Sequence, residues 1–322
     1  IYKNSLLFST ALCNIREETM DQKQTELVNK ITEFRKLVIQ AIFSDDDLCK
    51  LFSLKGGSAL DLIHNITYRS SMDVDVAMQD DISPEDIPII DYKLKNALQE
   101  IFNGYDPPYS IFQFKFEPRP AKQNLKANKF WGGYSVEFKI RSGIHPIDDV
   151  PDLQKAAREA EVVDFTQGKK FEIDISKYEF TNPSEFKDLE GYTIKVYTLE
   201  MIIYEKLRAI CQKLPGYAAA HTTINARPKD FYDIFMIMRA QKHISFTSLD
   251  IEVLKTIFEK KEVPLALLFD IPNHKQEVFD EGIEQLKETF LNDELDTFNP
   301  NEVFDFIING INEIPGIDEY YK

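Results

Sequence analysis

Apolar residues in this chain recur with two different periods, and the change from one to the other near residue 195 is the strongest limit on its fold. Before that point four runs alternate apolar with polar residues: Asp73 to Val76, Ile111 to Phe116, Val136 to Ile140 and Phe171 to Ile175. Alternation of this kind belongs to strands with one buried and one polar face. Helical spacing interrupts the strands at residues 21–43, where Leu27, Ile31, Phe34, Val38, Ala41 and Ile42 share a face, again from Ser58, and at residues 92–103. After Tyr192-Thr-Ile-Lys-Val the pattern is helical, through Leu199 to Ile210, Phe231 to Met238, Leu249 to Phe258 and Val278 to Phe290. The expectation is an α/β (α+β) chain with an N-terminal extension at 1–20, a core at 21–195 built on a mixed sheet flanked by helices, and a helical C-terminal subdomain at 196–322.

No apolar run approaches the roughly 20 residues that span a bilayer, so no membrane partner is expected. The three cysteines, Cys13, Cys49 and Cys211, are widely spaced and odd in number. They form neither a disulfide framework nor a metal knuckle, and a reducing, cytoplasmic setting fits them. The net charge of −16 argues against a nucleic-acid partner until its distribution is considered. Asp250 to Lys322 holds 18 acidic and 6 basic residues, a net of −12. Lys115 to Arg141 runs the other way, with seven basic residues against Glu117 and Glu137, and it carries Phe116, Phe130, Trp131 and Tyr134. Cations interleaved with aromatics suit a single-stranded RNA end or a nucleotide.

Two short motifs carry the chemistry. Asp73 and Asp75 lie two apart in a strand, so both carboxylates leave the same face while Val74 and Val76 anchor the other. Hard oxygen ligands set together in this way suit a divalent cation. Upstream, Lys55-Gly56-Gly57-Ser58-Ala59-Leu60 is a small-residue turn feeding a helix, whose first amides and dipole favour a phosphate. Nucleotide transfer from a triphosphate needs a metal, a phosphate cradle and a cation for the leaving pyrophosphate. Phosphate-loop, GxGxxG, HExxH and GxSxG motifs are absent, and the five histidines show no ligand spacing.

The run LKGGSALDLIHNITYRSSMDVDVAM resembles the opening motif of the DNA polymerase beta-like nucleotidyltransferase superfamily. Its Lys-Gly-Gly-Ser-Ala-Leu start, with Arg69 and Ser71 ahead of the aspartates, is similar to the AbiEii/AbiGii family, the toxin half of bacterial abortive-infection and toxin–antitoxin pairs. IKVYTLEMIIYEKLRAI and RPKDFYDIF resemble further segments of that family, so the likeness runs discontinuously over about residues 52–240. The stretch between Ser58 and Asp73 is slightly longer than usual. The resemblance implies that Gly57 and Ser58 bind a nucleoside triphosphate and that Asp73 and Asp75 hold Mg2+, with Mn2+ as a substitute. The third carboxylate is assigned to Asp174, whose Phe171-Glu-Ile-Asp-Ile-Ser strand matches the family's. Glu137, with the same alternation and no motif, is its rival.

Lys206 stands out on physical grounds as well. Leu199, Ile202, Ile203, Leu207 and Ile210 form one helix face, and Lys206 falls inside that arc, where an ammonium needs an anion. Asp230, in the first turn after Pro228, is a candidate for positioning the nucleotide or Lys206, ahead of Asp233. Arg69 could reach a phosphate or brace the aspartate strand, and Arg227 could pair with Asp230. The functional expectation is a magnesium-dependent nucleotidyltransferase that adds a nucleotide to an RNA 3′ end, such as that of a transfer RNA held near Lys115–Arg141, or to a protein hydroxyl. By resemblance it acts as a toxin with a cognate antitoxin. The alternative is a protein that keeps the fold and binds nucleotide or a partner without catalysis.

Overall fold

The computed structural model describes residues 25–66, 69, 73–120, 131–147, 150–164, 166–217, 226–290 and 297–321. The extension expected at 1–20 lies outside them, as do Ser71, Lys122, Lys126, Lys129 and Phe130. Helix α1 (25–44) contains no proline or glycine, and it buries Ile31, Phe34, Val38, Ala41 and Ile42 as their spacing predicts. The chain then turns at Asp45, whose carboxylate caps α2 (Asp46–Leu51) by accepting from the amides of Asp47 and Leu48.

Seven strands form one mixed sheet. They are β1 (Ser53–Lys55), β2 (Val74–Ala77), β3 (Tyr109–Arg119), β4 (Gly133–Ser142), β5 (Phe171–Ser176), β6 (Ser184–Leu189) and β7 (Tyr192–Tyr197). Their order is β3-β4-β5-β2-β1-β7-β6. The pairs β2–β5 and β1–β7 are parallel, and the other neighbours are antiparallel. The short strands β1 and β2 therefore sit in the middle, with the long β3–β4 pair as an outer flank. Val74 and Val76 are fully buried, each worth about 2 kcal/mol of apolar transfer, and this fixes the opposite face of β2 for Asp75.

Helix α3 (56–63) follows β1, α4 (Ile87–Gly104) covers the sheet with Ile90, Leu94, Leu98 and Phe102, and α5 (Leu153–Glu159) lies on β4. After β7 come α6 (Leu199–Cys211), capped by Thr198, α7 (Pro228–Ala240), opened by a first-turn proline, and α8 (Ile251–Glu259), capped by Asp250. A buried apolar cluster runs without a break from Phe34 on α1 to Ile317 near the end of the chain, so sheet and helices share one core. No helix among the described residues is long and apolar enough to cross a membrane.

Two local expectations change. The helix expected over Val278 to Phe290 is broken into α9 (Lys275–Val278), a tight turn at Asp280–Gly282 and α10 (Ile283–Lys287). The break lies where the chain passes the start of α7 and the Val278 carbonyl accepts from the Arg227 amide at 2.7 Å. Helix α11 (Pro300–Ile311) and edge strand β6 were not anticipated. Glu185, Phe186, Lys187 and Asp188 give β6 no apolar alternation, and Phe186 points outward.

The close approach of β4 to β5 depends on Gly133. A Cβ there would stand 1.7 Å from the Ile175 carbonyl oxygen, which is backbone and cannot rotate aside. Gly133→Ala is expected to destabilise the protein by at least about 3 kcal/mol, read as the shift in a urea unfolding midpoint.

Candidate active site

The sheet register assembles the site. Lys55, Asp75, Asp174 and Ser135 are successive ladder partners across β1, β2, β5 and β4, so they occupy one row on one face. Asp73 precedes β2 and is exposed at the same end. Burial raises the Asp75 carboxyl to about 6; nearby Asp174 and Asp73 push it the same way, and Lys55 and Lys206 oppose them. Asp174 is also raised, first by burial, then by Glu172 and Asp73, against Arg119 and Lys55. Glu137 sits one step along the same face, as ladder partner of Glu172, and its carboxylate is held by Lys170 at 2.7 Å. Asp174 is thus the carboxylate in register with Asp75. Among the described residues no three His, Cys, Asp or Glu side chains close into a ready-made metal cluster.

The small-residue turn lies directly against this row. Gly56 adopts φ +71, and a Cβ on it would fall 2.4 Å from Asp75 Oδ2, so a side chain is excluded on both conformational and steric grounds. The helix that follows widens at its end, where the His64 amide donates to the Ala59 carbonyl five residues back. Ser58 is fully buried: its hydroxyl donates to the Asp73 carbonyl at 2.5 Å and accepts from Arg35 Nη2 at 3.1 Å. Arg35 also holds Asp61 at 2.8 Å. The Ser58 side chain therefore staples α3 to the aspartate strand, and the first-turn amides of α3, not this hydroxyl, are the groups without an intrahelical acceptor.

A buried charge cluster joins α6 and α7 to the site. Lys206 Nζ is 3.0 Å from Asp230 Oδ1 and 2.7 Å from Asp233 Oδ2. Arg69 grips Asp233 with two nitrogens, at 2.7 and 2.5 Å, and Arg227 Nε donates to Asp230. The inward lysine thus meets two carboxylates of α7, and Arg227 pairs with Asp230. Among the described residues three cations face two carboxylates in this group, one positive charge in excess. Burial alone would raise Asp230, but Arg227 and Lys206 outweigh it and hold its carboxyl well below the ordinary range. Burial would likewise lower Lys206, and Asp233 and Asp230 reverse that.

A second buried network lies behind Lys55. Its ammonium is 3.5 Å from Glu179 and 3.7 Å from Glu205; Glu179 also faces Arg208 at 3.6 Å and Lys261 at 3.2 Å, and Arg208 holds Glu205 at 2.7 Å. Burial would raise Glu179, yet Lys55, Arg208 and Lys261 bring it down to about 2. Burial takes Lys261 down to about 8 despite Glu179.

The proposed stacking aromatics are arranged otherwise than expected. Phe116 and Tyr134 stack on each other at 4.9 Å with Tyr134 buried, because they occupy the core face of β3 and β4. Trp131 is 41% exposed, with its indole N–H donating to the Tyr217 hydroxyl at 3.2 Å. Arg35 and Arg119 were not among the sequence candidates, Lys55 and Gly56 were read only as part of the turn, and Arg69 and Asp233 were candidates whose pairing was not foreseen. Arg35 could have been found, since it lies within the apolar arc of α1 as Lys206 lies within that of α6.

The profile of a family described as nucleotidyl transferase AbiEii toxin, type IV TA system, matches residues 37–319. The chain belongs to this family. It is therefore a nucleotidyltransferase of the AbiEii toxin class. No curated protein matches the sequence. Among solved structures this AbiEii chain is similar to JHP933 from Helicobacter pylori, with TM-score 0.45, 13% identity and 91% of either chain covered. It is also similar to an antigenic nucleotidyltransferase-like protein from Paracoccidioides brasiliensis, with TM-score 0.34, 14% identity, and 77% of this chain and 94% of that one covered.

Two consequences of the charge arrangement can be measured. Asp233→Ala strips both Arg69 and Lys206 of a buried carboxylate and is expected to cost about 3–5 kcal/mol in chemical denaturation. Asp75 acts in the opposite sense. Its folded carboxyl titrates near 6 against an ordinary 3.8, so the folded protein keeps a proton that the unfolded chain releases, and stability falls as pH rises through that window. Asp75→Asn should therefore stabilise the metal-free protein by about 1–3 kcal/mol at pH ~7.5. The gain should vanish near pH 4; an equal gain at both pH values would refute the assigned cause.

Proposed function

We propose that this AbiEii chain is a divalent-metal-dependent enzyme that moves a nucleoside monophosphate from a triphosphate onto an acceptor hydroxyl. The observation that carries the reading is the row in which Asp174 stands beside Asp75, with Ser58 stapling the glycine turn to Asp73. The donor set fits Mg2+, or Mn2+ in its place: Asp73, Asp75 and Asp174 offer hard oxygens, and their mutual repulsion, felt most at Asp75, is what a divalent cation relieves. Bound there, the cation would neutralise phosphate charge and lower the pKa of the acceptor hydroxyl.

The chain's own groups supply the remainder. The amides of Gly57 and Ser58 cradle the triphosphate at the start of α3. Lys206, held in place by Asp230 and Asp233, and Arg69 provide the excess positive charge that favours the pyrophosphate as it departs. Asp174 accepts the proton of the attacking hydroxyl at its carboxylate oxygen, being solvent-accessible and beside Asp75 in the row. The oxygen–phosphorus bond to the acceptor forms at the α-phosphate as the bond to the bridging oxygen breaks, and pyrophosphate leaves with the electron pair.

The acceptor is an RNA 3′ end, such as that of a transfer RNA, or a protein hydroxyl, approaching over the polar face of β4 and β3. The type IV TA description of the family supports an antitoxin partner, and the odd number and wide spacing of the cysteines support a cytoplasmic setting. Asp73→Asn is expected to reduce transfer of labelled nucleotide, with magnesium and total RNA or protein as acceptor, by at least about 100-fold while circular dichroism stays unchanged. Undiminished transfer by this variant would sink the assignment.

A further inference from the structure

Arg119, the last residue of β3, touches the site without a part in the chemistry above. Its Nη1 lies 3.2 Å from Asp174 Oδ2 and 3.2 Å from Glu172 Oε1, so one guanidinium nitrogen bridges two carboxylates of β5. β3 and β5 are not neighbours, since β4 runs between them. The reach is possible because of what β4 places underneath. Arg119 is the ladder partner of Gly133, which has no side chain, and its path to Asp174 and Glu172 runs over Ser135, a small residue whose hydroxyl donates to Glu172 at 3.3 Å.

This ion pair differs in kind from the others around the site. Arg35, Arg69 and Lys206 are buried and tied to partners that solvent does not reach or reaches only in part. Arg119 is 56% exposed, Asp174 43% and Glu172 37%, so water screens the contact and competes for it. Pairs of this sort contribute little to stability and exchange readily. The oxygen that Arg119 occupies, Oδ2, belongs to the carboxylate in register with Asp75, and a divalent cation drawn to that carboxylate would meet the repulsion of a guanidinium already beside it.

We propose that Arg119 is a displaceable counter-ion of the site. It holds Asp174 and Glu172 in the metal-free protein, competes with the divalent cation for Asp174, and swings away over the Gly133–Ser135 track when the cation binds. Arg119 is thus a positioning residue: it keeps the third carboxylate oriented and charge-balanced before the metal arrives, and it sets the metal concentration at which the site becomes complete. The inference rests on the metal-dependent reading given above.

The test is Mn2+ binding to the full chain, without nucleotide, followed by electron paramagnetic resonance. Arg119→Ala should bind Mn2+ roughly fivefold more tightly than the parent, because a cation close to the site has been removed. Arg119→Lys, which keeps the charge, should return to near the parental affinity. A merely structural role would weaken binding in the alanine variant, so unchanged or weaker Mn2+ binding by Arg119→Ala, alongside parental binding that Asp73→Asn abolishes, overturns the proposal and leaves the metal site standing. Absence of Mn2+ binding by the parent, or binding indifferent to Asp73→Asn, removes the metal-dependent reading and this inference with it.

Discussion

Two carboxylates side by side in the middle of a sheet are the arrangement to which the rest of this structure is fitted. Asp75 and Asp174 are ladder partners on parallel strands, about 5 Å apart along the hydrogen-bonding direction, and the burial of Asp75 adds to the repulsion that Asp174 exerts on it. Hydrophobic burial of Val74, Val76, Ile173 and Ile175 on the opposite face holds them there. Neither strand can slip by one residue to relieve the repulsion without turning its apolar set to water.

The surroundings offset this charge in graded fashion. Lys55 completes the row on β1, and its ammonium is itself placed by Glu179 and Glu205, which belong to a buried network reaching α6 and Lys261. On the other side Lys206, Arg69 and Arg227 gather around Asp230 and Asp233 of α7. Each network holds three cations and two carboxylates. Together they bring positive charge to a negative centre, and both depend on helices that follow the sheet in sequence. This is a physical reason for the shared core: the helical half supplies counter-charge that the sheet lacks.

Much of this was legible, and the parts that were not share a cause. The alternation in Asp73 to Val76 and Phe171 to Ile175 reported which face each side chain takes, because that depends only on neighbouring residues. The inward Lys206 was legible for the same reason, as a charge inside an apolar arc. Asp230 and, behind it, Asp233 were legible as candidates for positioning Lys206, but not that Lys206 bonds both and that Arg69 shares Asp233, since these pairings arise only through the packing of α7 on α6. Phe116 and Tyr134 read as aromatics among cations, whereas the strand faces send them to the core and leave Trp131 as the exposed one of the three that are described. Edge strand β6 carries no apolar alternation to be read, because neither of its faces is buried along most of its length: Phe186, Lys187 and Asp188 are all exposed and only Leu189 is buried.

The sequence by itself determined the alternating strands around Asp75 and Asp174, the helices α1, α4 and α6, the small-residue turn before the aspartates and, through its family profile, membership of the AbiEii class. Only the tertiary structure decided that Asp174 and not Glu137 stands in register with Asp75, that Gly56 must lack a side chain because Asp75 fills the space, that the Ser58 hydroxyl is spent on Asp73 and Arg35, and that Arg119 reaches across β4 to Asp174. The difference follows from range. Periodicity records which way a side chain points along its own element, and register between strands far apart in sequence is settled only when their buried faces find a common core.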